Sequence, residues 1–115
     1  MDQEFDFIAI GDTVTDDFIR IQQASVMRSE SPEGVVDEEL CFVNGAKIPY
    51  DFHVVLAGVG NAANAAVSAA RLGLKTALVA DVGSDDRGKE IIATLQGNGI
   101  HTRHVKVNDG KITNF

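Results

Sequence analysis

A glycine turn that opens an alanine-rich segment is the stretch of this chain best suited to chemistry. Residues 57–81 read AGVGNAANAAVSAARLGLKTALVAD, and this pattern predicts a helix over Gly60 to Leu72 followed by an apolar strand. The first backbone N–H groups of a helix have no partner within the helix, and the helix dipole adds partial positive charge there. We therefore expect Gly58 to Asn64 to hold a polar or anionic ligand.

Read locally, this turn also fits the fingerprint of a dinucleotide-binding site. Gly58, Gly60 and Ala63 match the pattern G-x-G-x-x-A, and Asp81 ends the next predicted strand. In such a site the glycines admit a pyrophosphate and the acid binds a ribose hydroxyl. The pattern is common in chains rich in glycine and alanine. An NAD- or FAD-binding domain of an oxidoreductase is therefore one alternative for the function.

Composition and charge restrict the class of protein. The chain has 115 residues, 44% of them hydrophobic, and a net charge of −7, which suits one small globular domain. The negative charge argues against a nucleic-acid partner and against an anionic membrane surface. No apolar run approaches the roughly 18 residues of a membrane span. The acidic start MDQEFD lacks the basic residues of a signal peptide.

Cysteine and histidine usage adds two expectations. Cys41 is the single cysteine, so an internal disulfide is impossible, and we expect a small hydrophobic side chain in a strand, in a reducing, cytoplasmic compartment. His53, His101 and His104 are scattered, and their spacing predicts no metal site.

The amino-terminal half must supply the strands that lead to the glycine turn. Phe5 to Ile10 is an apolar run ended by a glycine, which predicts a buried strand, and Phe18 to Ile21 predicts a second short strand. Gln22 to Glu39 shows little periodicity and predicts a loop or mobile insertion. Asn44-Gly45, between Leu40 to Val43 and Ala46 to Leu56, predicts a hairpin turn.

The carboxyl-terminal half predicts alternating strands and helices. Expected N-caps are Asn61 for the first helix and Asp85 for the second, which runs to about Asn98; Gly73 is the expected C-cap. The predicted strands are Lys75 to Ala80, His104 to Val107 and the start of another at Lys111 to Phe115. This order indicates an α/β fold with a mostly parallel, Rossmann-like sheet, its helices on one face, and a small β hairpin.

Spacing along the chain resembles one enzyme family. Asn64, Gly73 and the run Gly83-x-Asp85-x-x-Gly88 are similar to the first signature of the ribokinase-like carbohydrate kinases, the PfkB family. The strand ending in Gly11, with Asp16 five residues later, resembles the opening of that family. The resemblance covers nearly all of the chain. Two departures are Val59, where the family usually has a glycine, and a long segment between Asp16 and the turn.

The resemblance implies a fold and a set of substrate contacts. Residues 1–115 would form the amino-terminal, incomplete portion of a ribokinase-like domain, with lid strands within about 17–23 and 40–56. Asp16 would accept hydrogen bonds from substrate hydroxyls, because a carboxylate can take two at once. Gly60 would let the backbone approach the substrate, with Gly58 in the same turn, and Asn61 and Asn64 would present amides.

The resemblance also implies the reaction and what the chain leaves to other residues. The whole enzyme would transfer a phosphoryl group from ATP, with Mg²⁺, to a hydroxyl of a sugar or nucleoside. In the family the catalytic base and nucleotide pocket belong to a later Gly-Ala-Gly-Asp segment that this sequence lacks. We therefore assign no catalytic residue and expect the 115 residues alone to be inactive. Lid strands would pair two copies into a homodimer, and a non-catalytic sugar-binding module is the other alternative.

Overall fold

The computed structural model describes residues 4–22 and 24–115, and within them the chain forms seven strands and two helices. One compact unit consists of the chain up to Asp16 together with Val55–Phe115, and a second unit consists of Asp17–Val54. Residues 1–3 of the acidic start and residue 23 of the expected lid strand lie outside the described residues. The elements in chain order are β1 Phe7–Ile10, β2 Val14–Ile21, β3 Ser25–Glu30, β4 Val36–Cys41, β5 Tyr50–Val59, α1 Asn61–Arg71, β6 Thr76–Gly83, α2 Asp86–Gly97 and β7 Val105–Asn108.

The first unit contains a parallel sheet with the strand order β1-β6-β7. In this sheet Ile10 pairs with Val79 and Ala80 pairs with Val105. The central strand, TALVADVG, is apolar over most of its length, as expected for a parallel strand covered by helices. The predicted α/β fold with a mostly parallel sheet is confirmed.

Small side chains join the first helix to this sheet. On α1 the buried residues are Ala63, Ala66 and Ala69, and they lie in one core cluster with Leu78 of β6 and others. Methyl groups let a helix lie closer to a sheet than branched side chains do. On β1, Ala9 is buried at 6% exposure, whereas Ile10 is 77% exposed. One face of the sheet is therefore packed against helices and the other is open in this chain.

The residues that begin and end the two helices match the sequence-based prediction at three positions and differ from it at one. Gly73 has φ 91° just after α1, as its expected role requires, and Asn98 is the C-cap of α2. Asp85 caps α2 by accepting a hydrogen bond from the Gly88 N–H at 3.1 Å. The N-cap of α1 is Gly60 rather than Asn61, and no side chain caps this helix. Asn61 is instead the first helical residue, so its amide is free for another role.

The predicted strand at Lys111 to Phe115 is wrong, since these residues form no strand. Thr113 instead holds this segment over the start of α2: its hydroxyl accepts from the Gly83 N–H at 2.9 Å and donates to Asp85. That second bond lowers the pKa of the Asp85 carboxyl, as does the Gly88 N–H. A Cβ on Gly83 would lie 2.3 Å from the Lys111 carbonyl oxygen, so glycine is required for this approach.

The second unit contains an antiparallel hairpin where the sequence predicted a loop over Gln22 to Glu39. Strands β3 and β4 pair from Ser25 with Cys41 to Glu30 with Val36. All six residues of β3 are exposed. Because neither face is buried, the strand carries no alternation of apolar and polar residues by which it could be recognised.

The predicted hairpin over residues 40–56 is wrong in its pairing. Asn44 and Gly45 do form a turn, in which the Ala46 N–H donates to the Val43 carbonyl at 3.1 Å. Its two arms do not pair with each other, however, because β4 pairs with β3 and β5 pairs with β2. β2 and β5 are also the strands on which the chain passes between the two units.

Candidate functional site

A groove of about 610 Å³ lies in the first unit, between the end of β1 and the start of α1. Its polar lining comes from Gly11, Asp12, Gly60 and Asn61. The carboxyl ends of parallel strands are where open α/β sheets bind ligands. The groove therefore lies where the fold class leads us to expect a site.

Two glycines let the chain form this groove. A Cβ on Gly11 would lie 3.0 Å from the Ala62 Cβ, and a Cβ on Gly60 would lie 3.1 Å from the Asp12 carbonyl oxygen. Gly60 also has φ 109°, in a region that side-chain-bearing residues rarely adopt. The loop after β1 thus contacts the first turn of α1 directly, and this contact brings Asp12 and Asn61 to one cavity.

The start of α1 offers backbone donors to that cavity. No side chain caps the helix, and its first intrahelical bond runs from the Asn64 N–H to the Gly60 carbonyl at 2.8 Å. The preceding N–H groups therefore remain available to a ligand, with the positive end of the helix dipole behind them. Such donors suit ligand oxygens, including those of hydroxyl groups.

The structure places two of the predicted site residues in the groove. Gly60 and Asn61 line the groove. Asn64 is exposed one turn further along α1, and Asp16 is exposed on β2. Gly58 is buried, and a Cβ there would meet the Thr94 side chain of α2 at 3.4 Å. Gly58 thus has a packing role, and its predicted ligand contact stays a prediction, as do those of Asp16 and Asn64.

Asp12 is a groove residue that the sequence analysis did not select. Its Oδ1 accepts a hydrogen bond from the Thr13 N–H at 3.0 Å, which fixes the orientation of the carboxylate. It also lines a neighbouring groove of about 300 Å³ together with Asp81 of β6. The available signal was its position: an acid directly after the glycine that ends a buried strand lies at the ligand-binding edge.

The strand–helix–strand unit of a dinucleotide site does not form. That unit needs two parallel neighbouring strands joined through the helix, but β5 before α1 pairs with β2, and β6 after α1 belongs to the other sheet. Asp81 lies within β6 rather than at its end, and its Oδ1 accepts from the Asn108 amide at 2.9 Å. The geometry therefore does not favour the oxidoreductase alternative.

The described residues provide neither a metal-binding cluster nor a membrane-spanning helix. Within residues 4–22 and 24–115 no group of three or more His, Cys, Asp or Glu side chains is placed to hold a metal ion. His53 lies 2.8 Å from one carboxylate, that of Asp17, in the second unit. Neither helix of the described chain is long and apolar enough to cross a membrane.

Comparison with known families identifies the chain. Residues 35–115 match the model of the pfkB family of carbohydrate kinases. The chain belongs to this family. In this PfkB chain the match includes α1, both strands that flank α2, and the Gly83–Gly88 turn.

Curated relatives and solved structures agree with this assignment. The chain is 39% identical over 54 residues to a 2-dehydro-3-deoxygluconokinase of Thermoproteus tenax, covering 47% of this chain and 17% of the relative. It is 46% identical over 46 residues to a 5-dehydro-2-deoxygluconokinase of Geobacillus kaustophilus, covering 40% of this chain and 14% of the relative.

Among solved structures, the ribokinase of Arabidopsis thaliana, complexed with ribose and ATP, superposes with a TM-score of 0.67. The two sequences are 23% identical, and the superposed part covers 96% of this chain and 30% of the ribokinase. At that identity the likeness shows the fold, which is therefore ribokinase-like. The matched segments of the PfkB chain span only 17% and 14% of the length of these two curated relatives.

We predict that Gly60→Ala destabilises the first unit by about 1–3 kcal/mol, the usual cost of a strained backbone at a residue other than glycine. The added methyl group would also press on the Asp12 carbonyl. Chemical denaturation of the whole protein that the gene encodes measures the change in the free energy of unfolding. Gly97→Ala is the matched control, because Gly97 lies in α2 with open space around it, and it should leave stability unchanged or slightly raised. Equal stability of the two variants would contradict the close contact.

Proposed function

We propose that this chain forms the substrate-binding and lid portion of an ATP-dependent kinase that phosphorylates a hydroxyl of a sugar or nucleoside. The observation that carries the proposal is the groove between Gly11-Asp12 and Gly60-Asn61 in a chain of the PfkB family. Its lining combines a carboxylate, an amide and unpaired backbone donors, and these are the groups that recognise hydroxyls.

Each predicted substrate contact has a distinct chemical task in this proposal. The Asp16 carboxylate accepts hydrogen bonds from two substrate hydroxyls, and the Asn61 and Asn64 amides both donate and accept. Gly60, lacking a side chain, admits the substrate to the helix start. Gly58 supports the turn through its close packing against Thr94 of α2.

The proposal assigns binding and orientation to these residues and leaves proton transfer to another segment of the enzyme. When bound, ATP supplies the phosphoryl group and Mg²⁺ neutralises charge on its phosphates. Phosphoryl transfer depends mainly on positioning and electrostatic stabilisation. An acceptor hydroxyl held at the start of α1 by two or more hydrogen bonds has much of its orientation fixed before transfer. We also propose that the protein is soluble and cytoplasmic, a location that is consistent with this role.

The test is a substrate panel with ATP, run on the whole protein that the gene encodes. We expect phosphoryl transfer to a sugar or nucleoside. Asp16→Ala should weaken substrate binding about tenfold to a hundredfold, the effect of losing a hydrogen bond to a charged group. Asn64→Ala should cost less, about 0.5–1.5 kcal/mol of binding. Thermal melting should hold for Asp16→Ala and rise slightly for Asn64→Ala, since alanine is the better helix former.

Asp86→Ala is the control for these variants, because Asp86 is an exposed carboxylate that pairs with Lys89. It should leave affinity unchanged and lower melting only slightly, since Asp86 lies in the first turn of α2. Early unfolding of the Asp16 and Asn64 variants with normal sugar binding would show that these residues are structural. Sugar binding without phosphoryl transfer would favour a binding module. Tight NAD binding that is lost in Asp81→Ala would favour the oxidoreductase.

The second unit supports a proposal of self-association. Met27, Leu40 and Tyr50 are 61%, 62% and 56% exposed, and β3 and β4 form only a two-stranded sheet, which is marginal by itself in water. We expect the lid strands of two copies to pair and cover this apolar surface. Light scattering of the whole protein should give the mass of a dimer, and Leu40→Lys should shift it toward the monomer. A strictly monomeric mass at high concentration would contradict the proposal.

A further inference from the structure

The chain contains two Asn-Gly pairs, Asn44-Gly45 and Asn98-Gly99, and such pairs are chemically reactive. The backbone nitrogen of the glycine can attack the Cγ atom of the asparagine side chain. The attack forms a nitrogen–carbon bond and closes a succinimide ring, and the glycine amide proton leaves with the side-chain NH₂ group as ammonia. Water then opens the ring to aspartate or isoaspartate. Glycine has no Cβ to crowd the ring, so the surroundings of each pair decide how fast it reacts.

Asn98-Gly99 is held in place at the end of α2. The Gly99 N–H donates to the Gln96 carbonyl at 2.9 Å, so the attacking nitrogen is already engaged. The Asn98 side chain is fixed through both of its polar atoms: Nδ2 donates to the Thr94 carbonyl at 2.9 Å, and Oδ1 accepts from the Arg71 guanidinium at 2.9 Å. Ring closure at this pair would have to break these bonds.

Asn44-Gly45 lies in the exposed turn between β4 and β5. The turn bond runs from the Ala46 N–H to the Val43 carbonyl at 3.1 Å and does not use the Gly45 N–H. Within residues 4–22 and 24–115, neither that N–H nor the Asn44 side chain makes a hydrogen bond. A Cβ on Gly45 would meet nothing within 4 Å. The two reacting groups are therefore free to approach each other.

We propose that Asn44-Gly45 is a site of spontaneous covalent modification in the native protein, converted to isoaspartate and aspartate while Asn98-Gly99 persists. The reaction consumes only water. Both products replace a neutral amide by a carboxylate, in a second unit that already carries more Asp and Glu than Lys and Arg. Isoaspartate also routes the backbone through the former side chain and lengthens it by a methylene group between Val43 and Ala46. The modification thus adds negative charge and alters the turn within the lid segment proposed to pair two copies.

The hydrogen bonds set the expected size of the difference between the two pairs. Three hydrogen bonds hold Asn98-Gly99, and at the usual net strength of such bonds their loss corresponds to about a hundredfold in rate. The bonds need not all break fully before attack. We therefore expect Asn44 to react at least about tenfold faster than Asn98 in the folded protein.

The test incubates the whole protein that the gene encodes at mildly alkaline pH, which speeds the attack by removing the amide proton. Peptide mass spectrometry follows Asn44 and Asn98 in the same sample, and enzymatic methylation of isoaspartate identifies the product. Ion-exchange chromatography should show an acidic species that grows in step with conversion of Asn44. Asn44→Gln is the matched variant, because the longer glutamine side chain closes the corresponding ring far more slowly, and it should abolish the acidic species.

Unfolding in urea separates the effect of structure from that of sequence. Both pairs lose their surroundings there, so the rates at Asn44 and Asn98 should become similar. A folded-state rate at Asn44 no greater than that at Asn98 would overturn the proposal. So would an Asn44 rate that rises about tenfold or more on unfolding, since protection of that size means the turn is closed to the reaction. Persistence of the acidic species in Asn44→Gln would place the modification at another residue and count equally against it.

Discussion

The close contact between the loop after β1 and the first turn of α1 is the constraint on which the candidate site depends. Hypothetical Cβ atoms on Gly11 and Gly60 would lie 3.0 and 3.1 Å from atoms of Ala62 and Asp12. Larger side chains at these positions would separate loop and helix and remove the groove between them. The same contact leaves the helix start uncapped by any side chain, so that one packing solution provides both the cavity and its backbone donors.

The two helices contribute to the stability of the first unit in different ways. The buried face of α1 consists of alanines, each of which removes little apolar surface from water. Larger side chains compensate nearby: Leu78, Ile91 and Leu95 are fully buried, two of them from α2. The bonds of Thr113 to Gly83 and Asp85 then hold the end of the chain on the start of α2. The alanine face of α1 that packs closely on the sheet is thus supported by the larger buried side chains of α2.

The sequence was sufficient where a local pattern is tied to burial or to a special backbone angle. The apolar β6, the glycine after α1 and the Asp85 cap were all predictable for this reason. Strand β3 was not, because all of its residues are exposed and its partner is specified by pairing across the hairpin rather than by periodicity. The Asn44-Gly45 pair was enough to predict a turn. It could not show that the strands on either side of the turn pair with other strands and not with each other. The sequence favoured Asp16 over Asp12, and the contact with Gly60 is what places Asp12 in the groove.

Amide chemical shifts of the isotopically labelled whole protein show whether a hydroxylated substrate binds at the start of α1. On titration with the sugar or nucleoside that binds best, we expect saturable shifts of Gly11, Asp12, Gly60 and Asn61. Lys111 to Asn114, which line another groove of about 260 Å³ beside β6 and β7, should stay unchanged. Saturable shifts confined to the 260 Å³ groove, with Gly11, Asp12, Gly60 and Asn61 unmoved, would show that the substrate does not bind at the start of α1.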